Sequence, residues 1–114
     1  MIPVFRPSMG NEEIHEIIET IRSGWIGTGP KTAKLEQKFA ELIGVSCAVG
    51  LNSATAALHL SMVLSEVKEH EVITTPMTFV STNHAILYAG GIPVFADIEA
   101  DTLNINADRI EEAI

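Results

Sequence analysis

Val49-Gly50-Leu51-Asn52-Ser53-Ala54-Thr55-Ala56-Ala57-Leu58-His59-Leu60 decides how the rest of the chain is read. It passes from an apolar run through a turn of small residues into an Ala- and Leu-rich segment of helical length, the order strand, turn, helix. At the start of such a helix the first N–H groups have no partner within the helix and the dipole is positive, so an anion is favoured there. Ser53 and Thr55 add hydroxyl donors, and the small side chains of Ala54 and Ala56 let a phosphate approach the backbone. Hydrogen bonds to a charged group contribute about 1.5–3 kcal/mol each, so a few of them hold a phosphate without Lys or Arg. A plainer reading stands beside this one. Ser is among the commonest helix caps, and Ser53 then does no more than start a core helix.

Working outward, Ser46 to Val49, Glu71 to Thr74 and Ile92 to Ala96 are short apolar runs without polar alternation, separated by segments of helical length. Strands of that kind are covered on both faces, which predicts a mainly parallel sheet with helical crossovers. The crossovers are Ser53 to about Ser65 and Thr78 to Ala89, with Gly90-Gly91 turning the chain into the next strand. After Asp97 the chain loosens into a loop. Asn106 then caps a last helix that turns Ile110, Ala113 and Ile114 inward. Two helices precede the sheet. Asn11 caps the first, which carries Glu12 and Glu13 in its opening turn and Ile14, Ile17, Ile18 and Ile21 on one face, and ends at Ser23-Gly24. Thr32 caps the second, with Leu35, Phe39 and Leu42 at helical spacing and Gly44 at a left-handed stop. The expected fold class is therefore α/β, two helices and then a mainly parallel sheet, continuous over residues 1–114.

Composition narrows the function. Of the 114 residues 46% are hydrophobic and 19% charged, which suits a globular chain, and 5% aromatic residues imply an aliphatic core. Seven Lys and Arg against fifteen Asp and Glu give a formal net charge of -8, which argues against nucleic acid or an anionic membrane as partner. The single Cys47 forms no internal disulfide, and no basic and then apolar leader opens the chain, so a reducing cytoplasm is expected. No apolar run approaches the roughly 20 residues of a transmembrane helix. His15, His59, His70 and His84 have no metal-ligand spacing, so no metal site is expected, and Cys47 reads as a small buried apolar residue.

Two further segments bear on chemistry. Gly24-Trp25-Ile26-Gly27-Thr28-Gly29-Pro30 packs three glycines and a proline into a loop of special backbone conformation. It is not a nucleotide P-loop: Pro30 stands before Lys31 and removes a backbone donor, and a helix rather than a strand precedes it. No Gly-x-Gly-x-x-Gly follows any expected strand, so a dinucleotide site has no support. Thr74-Thr75-Pro76-Met77-Thr78-Phe79-Val80-Ser81-Thr82 leaves the carboxyl end of the second strand, the side on which open α/β sheets bind ligands. Phe79 either offers a flat face to an aromatic ligand or is the first core residue of the following helix.

These three segments, followed by Pro93-Val94-Phe95-Ala96-Asp97-Ile98, together resemble the start of the sugar-nucleotide aminotransferases of the DegT/StrS type, and the resemblance covers all 114 residues. It implies the aspartate-aminotransferase-like fold, here the amino-terminal part of the large domain of a pyridoxal-phosphate-dependent transferase. The implied cofactor is pyridoxal 5'-phosphate, and the implied reaction moves an amino group from an amino acid such as glutamate to a keto sugar nucleotide. The implied setting is polysaccharide or deoxysugar biosynthesis, with the whole enzyme a homodimer. Under this resemblance Thr55 and Ala56, with Ser53 and Ala54 beside them, form the phosphate-binding pair and its surroundings, and Phe79 stacks on the pyridine ring. Trp25, Ile26, Gly27 and Thr28 fall near the sugar-nucleotide site at the dimer interface.

The reaction also needs a lysine that condenses with the cofactor aldehyde and a carboxylate against the pyridine nitrogen. The resemblance puts both beyond residue 114, so no catalytic residue is expected in this chain, and alone it should be inactive. Lys31, Lys34 and Lys38 belong to a polar helix face and Lys68 to an acidic loop with Glu66, Glu69 and His70. Asp97 is expected to anchor a loop. Two alternatives remain at this point: a sugar dehydratase of the same fold, with histidine in place of the lysine, and a non-catalytic phosphate-binding or assembly module. Unpaired strand edges lead us to expect that the isolated chain is marginal or oligomeric.

Overall fold

The computed structural model describes Pro3 and residues 5–114. Its elements run in the order α1 (Asn11–Ser23), α2 (Pro30–Ile43), α3 (Ala54–Leu64), β1 (Glu71–Thr74), α4 (Ser81–Tyr88), β2 (Ile92–Phe95) and α5 (Ala107–Glu112). They fall into two compact units, Met1–Gly50 and Leu51–Ile114.

The second unit is the α/β one. β1 and β2 pair in parallel, with Glu71 opposite Ile92 and Thr74 opposite Phe95, and α4 is the crossover that parallel pairing requires. Ala96, expected inside the strand, lies one residue past it, although its N–H still donates to the Thr74 carbonyl at 2.8 Å. α4 packs on α3 and on both strands. The core is made of small side chains, Val67, Ala85, Ile86 and Ala96, and this has a backbone consequence. A Cβ on Gly91 would stand 2.9 Å from Ile86 Cγ2 and 3.1 Å from the Val67 carbonyl oxygen, so only glycine lets the turn from α4 into β2 pass this close. Asp97 anchors the following loop as expected: its carboxylate accepts the Ile98 N–H at 2.8 Å and its carbonyl accepts the Asn106 N–H at 2.9 Å. Asn106 caps α5 through the Asp108 N–H. Ile110 and Ala113 are half-buried, but Ile114 is 94% exposed, contrary to expectation, because α5 has ended before it.

Three helix starts differ from expectation. α1 is capped by Gly10 rather than Asn11, because the Glu13 carboxylate reaches back to accept the Gly10 N–H at 2.6 Å. α2 is capped by Gly29 rather than Thr32, with Pro30 in its first turn, where the missing N–H costs nothing. α4 begins at Ser81 instead of Thr78, since the Thr78 to Val80 stretch is held in the preceding loop. Gly44 does end α2 in the left-handed conformation.

Ser46 to Val49 is not a strand. A strand exists only when a neighbour takes its N–H and C=O groups, and these residues join no ladder among the described residues. Cys47 is accordingly exposed, not buried. Among the described residues no helix is long and apolar enough to cross a membrane.

Candidate functional site

Ser53 opens α3 with extended backbone, and its hydroxyl accepts the Ala56 N–H at 3.2 Å. That bond satisfies one of the helix's free donors. The Ala54 and Thr55 N–H groups and the Thr55 hydroxyl have no protein partner among the described residues. No acidic residue occupies the first turn, so nothing within the helix offsets the positive end of its dipole. Two amide donors and the Thr55 hydroxyl, with the Ser53 hydroxyl proton pointed no further than Asn52 Oδ1 at 3.3 Å, form a donor set matched to a phosphate ester. Ser53 is thus an N-cap whose oxygen accepts from the helix, and it becomes a phosphate ligand by turning its proton away from the long 3.3 Å bond to Asn52 Oδ1.

Phe79 stands at the same end of this unit. α3 leads through Ser65 to His70 into β1, and α4 leads through Gly90 and Gly91 into β2. The two turns touch, the Glu69 N–H donating to the Gly90 carbonyl at 2.8 Å. Because α3 and α4 also pack together, with the His59 ring edge-on to Tyr88 at 5.8 Å, they run in the same direction. Their N-terminal ends both point toward the carboxyl ends of the strands, where the loop carrying Phe79 leaves β1. Phe79 is 76% exposed, so it is not a core residue of α4.

The loop is braced from beneath by contacts that the sequence reading does not identify. Buried Thr74 donates its hydroxyl to Asn83 Oδ1 at 2.7 Å, and Asn83 Nδ2 donates to the Thr75 carbonyl at 3.2 Å. The only local signal is an amide side chain in the first turn of the helix after a threonine-rich loop.

Trp25 to Thr28 belong to the first unit. Trp25 and Gly27 line a cavity of about 340 Å³ together with Glu19, Ser23, Gly29 and Lys31. The Trp25 ring lies against Gly29, where a Cβ would be 3.0 Å from Cε3. Ile26 instead lines a shallow groove with Ile17 and Ile21, and Thr28 is exposed. Lys31 is tied to α1: it pairs with the Glu16 carboxylate and, at 3.6 Å, with Glu19. The hydrogen bond and then the charge of Lys31 hold the Glu16 carboxyl below its ordinary range, and the hydrogen bond that Lys31 donates to Glu16 leads the rise of Lys31. Among the described residues no group of three or more His, Cys, Asp or Glu is placed to hold a metal ion.

Residues 7–114 match the DegT/DnrJ/EryC1/StrS aminotransferase family. The chain is 51% identical over 114 residues to the uncharacterized protein MJ1066 of Methanocaldococcus jannaschii, covering 99% of this chain and 30% of that protein. It is 45% identical, over 99% of its length and 29% of the relative's, to the spore coat polysaccharide biosynthesis protein SpsC of Bacillus subtilis. The chain thus spans about 30% of the length of these relatives. Among solved structures, Spr1654 of Streptococcus pneumoniae, described as a sugar aminotransferase and solved in its PLP form, aligns with a TM-score of 0.90 at 43% identity, over 99% of this chain and 29% of that one. A GDP-4-keto-6-deoxymannose-3-dehydratase, at 24% identity, shares the fold.

Proposed function

The chain belongs to the DegT/DnrJ/EryC1/StrS aminotransferase family, and from that premise we propose that it is the cofactor-cradling, amino-terminal segment of a sugar-nucleotide aminotransferase. Both units would belong to one transferase domain. The reaction is transfer of an amino group from an amino-acid donor such as glutamate to a keto sugar nucleotide. The observation that carries this reading is the unpaired donor set at the start of α3, lying within the stretch the family covers.

Pyridoxal 5'-phosphate, when bound, supplies an electron-withdrawing ring on which the amino group is carried between donor and acceptor. In this proposal Ser53, Ala54, Thr55 and Ala56 form the phosphate cup, the Ala54 and Thr55 amides and the two hydroxyls donating to the anion and the small Ala56 side chain letting it approach. Phe79 covers one face of the ring and keeps water from it. Trp25, Ile26, Gly27 and Thr28 serve the sugar nucleotide, supported by the cavity beside Trp25. No catalytic proton carrier is assigned within residues 1–114, so the segment by itself should be inactive. Lys31 is committed to Glu16, and Lys68 lies against Gly90 in the turn below the sheet.

The aminotransferase reading is preferred to dehydration because the matching family is one of aminotransferases and Spr1654, described as a sugar aminotransferase, stands at 43% identity, whereas the dehydratase shares only the fold. SpsC further supports polysaccharide biosynthesis as the setting. A homodimer in the cytoplasm completes the proposal, the latter in keeping with an exposed free Cys47. The test is Thr55→Val in the full-length enzyme. Loss of the hydroxyl donor should weaken pyridoxal phosphate by about 1–3 kcal/mol and lower amino transfer from glutamate to a keto sugar nucleotide. Unchanged cofactor affinity would overturn the assignment of the cup, and cofactor binding without any transfer would support a non-catalytic module instead.

A further inference from the structure

We propose that Asn83 and Thr74 are positioning residues for the cofactor ring, acting through the loop that carries Phe79; this rests on the reading of Phe79 as the ring-covering face. The residues from Thr75 to Val80 join no ladder and no helix, and Phe79 is too exposed to be held by packing. Its position is set from below. The Thr75 carbonyl can only accept, so the Asn83 amide must turn its nitrogen toward it. That leaves Oδ1 for the Thr74 hydroxyl, which therefore donates. Thr74 is buried at the last position of β1, so the chain of bonds runs from the sheet through Asn83 to the first residue of the loop. Two more bonds close the far side, Thr82 N–H to the Phe79 carbonyl at 3.0 Å and Thr78 Oγ1 to Thr82 Oγ1 at 3.0 Å. A ring-covering side chain on an unbraced loop would pay its ordering entropy each time the ligand bound. The brace removes that cost beforehand.

The experiment compares Asn83→Asp, Thr74→Val, Thr74→Ser and Phe79→Leu in the full-length enzyme. Asn83→Asp keeps the shape but sets a carboxylate oxygen against the Thr75 carbonyl, and Thr74→Val removes the donor while Thr74→Ser keeps it. Three quantities are read: affinity for pyridoxal phosphate, the circular dichroism induced in the bound cofactor, and affinity for inorganic phosphate, which occupies the cup alone. Asn83→Asp and Thr74→Val should each weaken pyridoxal phosphate about tenfold and diminish the induced dichroism, with phosphate affinity unchanged and Thr74→Ser close to wild type. If Asn83→Asp does not fold, Thr74→Val against Thr74→Ser carries the same test. The positioning role is overturned if Phe79→Leu weakens the cofactor while Asn83→Asp and Thr74→Val do not, or if phosphate affinity falls in parallel, which marks a general loss of structure. If Phe79→Leu itself leaves cofactor affinity unchanged, the failure lies in the reading of Phe79, and the role of Asn83 falls with it.

Discussion

The Ser53 hydroxyl accepts the Ala56 N–H at 3.2 Å, capping α3, while the Ala54 and Thr55 amides beside it have no partner among the described residues. Capping and anion binding therefore use different atoms of one turn, and a single substitution separates them. Ser53→Asp keeps an acceptor for the Ala56 N–H and adds a negative charge at the positive helix end, so helix stability should be kept or raised by about 0.3–1 kcal/mol. The same charge repels a phosphate. Ser53→Asp should thus unfold at equal or higher denaturant than wild type and bind pyridoxal phosphate far more weakly. Equal cofactor affinity in that stable variant would return Ser53 to a purely structural role.

Gly91 is fixed by its neighbours. The Val67 carbonyl that a new Cβ would meet at 3.1 Å already accepts the His70 N–H at 2.9 Å, so it is not free to withdraw, and Ile86 is in the core. Gly91→Ala should cost about 1–3 kcal/mol, the range for overpacking, seen as a lower urea midpoint. An unchanged midpoint would show that the turn between α4 and β2 is looser than these distances indicate.

Glu16 and Lys31 respond to pH in opposite directions. Lys31 holds the Glu16 carboxyl below its ordinary 4.5, so the pair's contribution is complete above about 4.5 and is lost as pH falls through the lower folded value. Glu16 raises Lys31 above its ordinary 10.5, so on the alkaline side the contribution is complete below about 10.5 and is lost as pH rises through the higher folded value. Both groups are exposed, so the effect is local rather than global. Trp25, the chain's one tryptophan, lines the same cavity as Lys31 and reports it. Its emission should be flat between these limits and change beyond each, with the acid change absent in Lys31→Met and weaker at high salt. An acid limb that persists in Lys31→Met would assign it to another group.

The elements that could be read from sequence are those set by their own residues. β1 and β2 follow from uninterrupted apolar runs and α3 from the Ser53 cap ahead of an Ala- and Leu-rich run, and all three lie close to where they are expected. Misplacements occur where a single residue overrides the pattern: Glu13 reaching back to Gly10, Pro30 taking the first turn of α2, and Thr78 pairing with Thr82 ahead of α4. Ser46 to Val49 differs for another reason, since a strand depends on a partner that its own residues do not supply. The donors around Ser53 are legible because a helix start presents them by construction. The Asn83 brace is not, because it depends on a buried Thr74 hydroxyl meeting it across the turn from β1 to α4.

The apolar faces of the helices point to the last prediction. Ile14, Ile17, Ile18 and Ile21 share one face of α1, yet each is at least 40% exposed, and Phe39 and Leu42 on α2 and Leu64 at the end of α3 are exposed as well. The sheet holds only two strands among the described residues, so both outer edges offer free N–H and C=O groups. Two strands alone are marginal in water, and apolar helix faces exposed to this extent are normally covered. The 114-residue chain prepared by itself should therefore bind a hydrophobic dye, unfold over a broad temperature range, and sediment as larger species as its concentration rises. Replacing Ile17 and Ile21 with Lys should reduce both dye binding and association, because it breaks the α1 face without touching β1, β2 or α3. A monomer with a sharp, concentration-independent transition would mean that these faces are compatible with a stable single chain, and that the open edges of β1 and β2 need no partner.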